Sequence, residues 1–148
     1  MRDINENPVK KVTNQVVKNF DYGDVIPTEW LYKQFGIKFP AFSNKKNYDS
    51  IAFRFLNHMD ELKKILLIDH KMYLVNMRGT GYRIVMPRKQ ASETINSCSK
   101  KFNKIMRDTK LSLLNINIKM IDNDDIRYRD EQLGKIAALS AFATKKLT

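Results

Sequence analysis

The sequence predicts a mainly α-helical protein with one small β-hairpin, organised as an N-terminal domain over residues 1–88 and a two-helix segment over residues 89–148. Three observations carry this. Apolar residues recur at helical spacing in five stretches, two short alternating runs meet at Arg78-Gly79-Thr80-Gly81, and the composition changes after Pro87. A chain of 148 residues is long enough for one domain with a real hydrophobic core plus an appendage, and too short for two large domains.

The first helix is marked in "NPVKKVTNQVVKNF". Asn7 suits the cap and Pro8 the first helical position, and Val9, Val12, Val16 and Phe20 form a stripe that leaves Lys10, Lys11 and Lys18 outside it. This helix should end near Tyr22-Gly23. "DVIP" then allows two or three extended residues, because Pro27 restricts Ile26 to an extended conformation. Thr28 is a candidate cap for a second, two-turn helix in which Trp30, Leu31 and Phe35 share a face and Gly36 ends the run.

After the turn segment "IKFPAFSNKKN", the third and longest helix places Ile51, Phe55, Met59 and Leu62 at helical spacing, supported by Ala52, Leu56 and Leu66. Its other face carries Asn47, Ser50, Arg54, Asn57 and Glu61, and Lys45 and Lys46 lie at its N-terminal approach. Amides and an arginine gathered toward an N-terminal half are what a helix entering a DNA major groove presents, although a charged helix face is also the ordinary solvated one.

From Met72 to Met86 the residues alternate as two strands, and Gly79 and Gly81 supply the positive φ that a tight reversal needs. A phosphate-binding loop would need Gly-Lys-Ser/Thr leading into a helix. A dinucleotide fingerprint would need a third glycine and a following helix. Here the glycines lead into a strand, so both are excluded.

The order helix, short strand, helix, turn, helix, hairpin is that of a winged helix-turn-helix domain, with the hairpin as its wing. The segment "RGTGYR", Arg78 to Arg83, resembles the wing of the OmpR/PhoB-type winged-helix domains, and the likeness covers these six residues plus the topology of residues 8–87. It implies a wing role: Arg78 at the tip, reaching a minor groove or phosphate or else solvated, and Arg83 on the outer face of the returning strand, with Tyr82 expected to pack against the third helix, the alternative being direct contact. The Asn-, Ile- and Lys-rich composition of a small basic domain also resembles that of phage or mobile-element proteins.

Beyond Pro87, Ala91, Ile95, Cys98, Phe102, Ile105, Thr109, Ser112 and Ile116 alternate at spacings of three and four, the seam of a helix that packs along another. A last helix begins at the acid-rich "DNDD", with Ile126, Leu133, Ile136, Ala137, Ala143 and Leu147 as its stripe. Asp122, Asp124 and Asp125 lack the glycine and later ligands of a calcium loop and read as a helix cap. The two helices can fold back onto the N-terminal domain, bind a partner, or pair with a second copy, and a segment after the wing is a natural place for a homodimer surface.

Twenty-seven Lys and Arg stand against 16 Asp and Glu, a net charge of +11, and residues 1–90 hold 16 of those cations and 9 of the acids. That field favours a polyanion, with double-stranded DNA the leading partner. No apolar run reaches membrane-spanning length and the N-terminus lacks a signal-peptide core, so a soluble, cytoplasmic protein with no membrane partner is expected. The single Cys98 agrees with a reducing compartment and reads as a small buried apolar group.

His58 and His70 form no constellation with Cys98 or with paired carboxylates, so no catalytic residue, metal site or cofactor is expected and the chain does not read as an enzyme. Two functions remain open. One is a small transcriptional regulator that binds DNA through Lys45, Lys46, Asn47, Ser50, Arg54, Asn57, Arg78 and Arg83. The other is a winged-helix interaction module that docks on a host protein, as a phage-like inhibitor of an enzyme, polymerase or defence protein would.

Overall fold

The computed structural model describes residues 7–42 and 44–147, with side chains described as far as Ala143 in the last helix. The order is α1 (Pro8–Asn19), β1 (Val25–Pro27), α2 (Thr28–Phe35), α3 (Lys45–His70), β2 (Leu74–Met77), β3 (Gly81–Ile84), α4 (Pro87–Leu114) and α5 (Asn123–Leu147). These elements make a mainly helical protein with one three-stranded antiparallel sheet of order β1-β3-β2. The chain divides into two compact units, one ending at Gln90 and the other beginning at Ala91.

In the first unit α1 starts as its sequence requires: the Asn7 side chain accepts from the Val9 N–H at 3.0 Å and Pro8 fills the first turn. Val9, Val12 and Val16 are buried, and the buried Thr13 hydroxyl is satisfied by donating to the Val9 carbonyl. The helix stops at Asn19, short of the expected Tyr22-Gly23, because Phe20 turns extended and packs edge-to-face on Trp30, their ring centroids 4.9 Å apart. Thr28 is the first residue of α2 and not its cap. Pro27 occupies the cap position with no side-chain bond, and the Thr28 N–H instead donates to the Thr80 carbonyl of the hairpin turn.

Helix α3 buries Phe55, Met59 and Leu62 of the expected stripe together with Leu66, while Ile51, expected in the stripe, is half-buried near the start of the helix. Leu56, expected to support it, is 54% exposed, because it lies about 100° around the helix from Phe55 and off the core face. Tyr32 and Phe35 of α2 meet Phe55 edge-to-face, and Phe35 stacks on His58 at 5.1 Å, so α2 and α3 are adjacent.

The hairpin closes the core. Tyr82 and Ile84 point inward with Leu74 and Ile26, while Arg83 alternates outward beside its cross-strand partners Val25 and Val75. Tyr82 packs as expected: it is buried, Lys63 of α3 lies over its ring at 4.9 Å, and burial, with Tyr32 and Asp60 nearby, raises its pKa above the usual phenol value. Both hairpin glycines take positive φ, Gly79 at 78° and Gly81 at 156°.

In the second unit the Asp122 carboxylate accepts from the Asp125 N–H at 2.8 Å, the capping role read from the sequence. A single 3-10 turn, Ile118–Met120, interrupts the link between the two helices. No side chain of α4 is buried. The residues half-buried along its middle are Phe102, Met106, Thr109 and Leu113, so the packed face is rotated from the expected Phe102-Ile105-Thr109-Ser112 seam toward the bulkier Met106 and Leu113. Ile105 is 58% exposed, and Cys98 is exposed where a buried group was expected. Of the expected α5 stripe, Ile126, Leu133, Ile136 and Ala143 are half-buried and Ala137 is exposed, while the Leu147 side chain lies outside the described residues.

The two glycines separate strain from collision. A Cβ at Gly81 would overlap the Ile26 carbonyl oxygen and sit 2.9 Å from its carbon, whereas one at Gly79 meets nothing. Gly79→Ala should cost about 1–2 kcal/mol through its positive φ alone, and Gly81→Ala about 3 kcal/mol or more, because β1 must also move. Urea unfolding of the two variants measures the difference. Equal losses would mean that the close approach of β3 to β1 is not limiting.

Candidate nucleic-acid interface

Helix α3 is 26 residues long, about 39 Å at 1.5 Å per residue, and its two halves differ in charge. Residues 45–57 hold Lys45, Lys46 and Arg54 against Asp49, and residues 58–70 hold Lys63 and Lys64 against Asp60, Glu61 and Asp69. The positive half coincides with the positive end of the helix dipole. Its first turn is fixed by Asn44, whose side chain accepts from the Asn47 N–H at 2.9 Å, so Lys45 and Lys46 stand within the helix and not in an approach to it.

The eight candidate residues occupy three places. Lys46, Ser50 and Asn57 lie on the outermost stripe of α3, about 180° from the buried face. Asn47 and Arg54 lie on a flank, the side on which His58 stacks on Phe35 of α2 and Glu61 accepts from the Asn7 side chain of α1. Lys45 lies on the opposite flank, on the side where Lys63 reaches Tyr82 of β3. Arg78 is exposed in the turn between β2 and β3, and Arg83 is partly exposed on the outer face of the sheet. Glu61, placed with the amides by sequence, braces α1 instead.

Among the described residues Lys45, Lys46, Arg54 and Arg78 make no ion pair. No ion pair holds them, although Asp49 lies one turn from Lys45 and Lys46, and the excess of cations over this half of the helix attracts an external anion. No group of His, Cys, Asp and Glu suited to a metal ion is present among the described residues.

One residue of this surface escapes a reading based on charge. Phe53 is 64% exposed in the centre of the outer stripe Lys46-Ser50-Phe53-Asn57, and Leu56 beside it is 54% exposed. The signal was available in the spacing, since Phe53 lies two residues before Phe55 and cannot share its buried face.

No helix among the described residues is long and apolar enough to cross a membrane. Comparison of the chain with family models, curated proteins and solved structures finds no match.

Removing the α3 cap tests whether the surface depends on helix order. Asn44→Ala should cost about 1 kcal/mol and fray the turn that carries Lys45 and Lys46, seen as faster amide hydrogen exchange at Asn47 and Tyr48 with the rest of α3 unchanged. Unaltered exchange at those amides would mean that the cap is dispensable.

Proposed function

We propose that the N-terminal unit is a winged helix-turn-helix domain and that the protein is a small transcriptional regulator of duplex DNA, with α3 as the recognition helix and the β2–β3 turn as the wing. The observation that carries this is the set of cations, none held in an ion pair among the described residues, on the N-terminal half of α3 and on the hairpin turn: Lys45, Lys46, Arg54 and Arg78. The element order α1-β1-α2-α3-β2-β3 and the contact of α2 with α3 support it. In this reading Ser50, Arg54 and Asn57 face base edges, with Asn47 beside them. Lys45, Lys46 and Arg83 hold phosphates, and Arg78 reaches a minor groove or phosphate.

A protein-docking module is the second reading. It is favoured by Phe53 and Leu56, exposed apolar groups that phosphate binding does not use, and by Asp49 and Asp60 on the same helix.

Fluorescence anisotropy with a random duplex at about 50 and 200 mM salt separates the two, because phosphate neutralisation gives a steep salt slope. Lys45→Ala, Lys46→Ala and Arg83→Ala should weaken all sequences alike and lower the slope by roughly one each, while Arg54→Ala should cost about 1–3 kcal/mol on a preferred site and blur the preference. If all four variants fold and bind as wild type does, the basic face is incidental and the docking reading takes its place.

The proposal includes a homodimer formed through residues 91–147. The second unit buries no side chain of α4, and α4 and α5 line a groove of about 420 Å³ with Met106, Leu114, Leu133 and Ile136. A helix pair without a buried seam is marginal alone, and a second copy would cover this apolar surface and present two reading heads to a two-fold DNA site. Light scattering at tens of micromolar should give twice the 17.4 kDa chain mass, and Ile136→Asp should return it to the monomer value. A wild-type monomer at that concentration removes the dimer.

A further inference from the structure

Phe53 has an exposure and a position that the core does not explain. It projects from the outer stripe of α3 with 64% of its surface accessible, one turn from Ser50 and one turn from Asn57, and directly opposite the buried Phe55-Met59-Leu62-Leu66 face. A phenyl ring in water is costly, and one flanked by a hydroxyl and an amide is set among groups that hydrogen-bond base edges. The base-edge group that matches a phenyl ring is the 5-methyl of thymine, the one apolar feature of the major groove. The edge that an asparagine amide matches best is adenine, through N6 and N7. Phe53 and Asn57, one turn apart, thus suit adjacent steps of A·T sequence.

The charges on α3 set which part of the helix can enter a groove. Lys45 and Lys46 precede Phe53 by two turns, Asp60 and Glu61 follow it by two turns, and a phosphate backbone attracts the first pair and repels the second. Asp49 is the one acid in the basic half, one turn before Phe53 and offset from it toward the flank that bears Lys45. Insertion from the N-terminal end therefore brings Ser50 and Phe53 to the base edges and keeps Asp60 and Glu61 away from the phosphates.

We infer that Phe53 is the specificity-determining residue of this helix and that it selects A·T-rich duplex sites by apolar contact with thymine methyl groups. The inference rests on the DNA-binding reading given above.

Poly(dA-dT) and poly(dA-dU) duplexes test it, because they share sequence and charge and differ only in the 5-methyl group. The full-length protein should bind the thymine polymer about 3–5-fold more tightly for each methyl contacted, the range expected for burial of one methyl group. Phe53→Ala should bind both polymers equally, Phe53→Leu should retain part of the preference, and Lys46→Ala should weaken both polymers by the same factor. Phe53 is solvent-facing, so thermal unfolding of the Ala variant should match wild type and exclude misfolding as the cause. Equal wild-type binding to the two polymers overturns the inference while leaving DNA binding in place. So does a preference that survives in Phe53→Ala, which would assign discrimination to duplex shape. Absence of binding to either polymer at low salt removes the DNA reading and the inference together, and makes the Phe53-Leu56 surface a protein contact.

Discussion

The first unit depends on the passage of β3 between β1 and β2. Gly81 brings its backbone so close to Ile26 that no side chain fits, and this approach lets the next residues pair on both sides at once: Tyr82 with Ile26 and Asn76, and Arg83 with Val25 and Val75. Pairing on both sides fixes the register, and the register decides that Tyr82 and Ile84 face the core while Arg83 faces out. Ile84 then ties the sheet to the loop after α1 by accepting from the Gly23 N–H and donating to the Asp24 carbonyl. A one-residue slip would bury Arg83 and expose Tyr82.

Helix α3 carries the opposite burden. One face is given to Phe55, Met59, Leu62 and Leu66, which fill the space against α1, α2 and the sheet, and its flanks are used for bracing, through His58 on Phe35, Glu61 on Asn7 and Lys63 over Tyr82. These three lie in the second half of the helix, while in the first half Tyr48 packs on Phe39 with ring centroids 4.8 Å apart. The first half contributes Phe55 and the half-buried Ile51 to the core and leaves Lys45, Lys46, Ser50, Phe53 and Asn57 outside. Both halves are thus packed on the domain, and the exposed stripe of the first half is held on a helix anchored along its length.

Much of this was legible in the sequence because the signals were local. Asn7-Pro8 announced the start of α1, Gly36 the end of α2, and the alternation around Gly79 and Gly81 the hairpin. What the sequence hid was non-local. Thr28 looked like a cap, but its N–H is claimed by Thr80, some fifty residues away, and α1 ends early because Phe20 finds Trp30. Leu56 was assigned to the core by its chemistry, and only its angle about the helix axis shows otherwise. Phe53 and Phe55 are alike in composition, and only their angular positions on the helix separate the exposed ring from the buried one. In α4 the regular three-four spacing favoured Ile105 and Ser112, whereas bulk turned the packed face toward Met106 and Leu113. Charge and amide content pick out Lys46, Ser50 and Asn57 on the outer stripe but not the apolar Phe53 among them.

The sheet order β1-β3-β2 leaves two open edges, and both are poor templates for another strand. β1 is three residues long and ends in Pro27, which has no N–H to offer, and β2 offers four residues with Asn76 exposed among them. A strand added at either side would gain only two or three backbone hydrogen bonds, about the minimum for any ladder. The sheet is thereby closed to growth from one molecule to the next. Such a protein can present a bare hairpin at high concentration without seeding strand-to-strand aggregation.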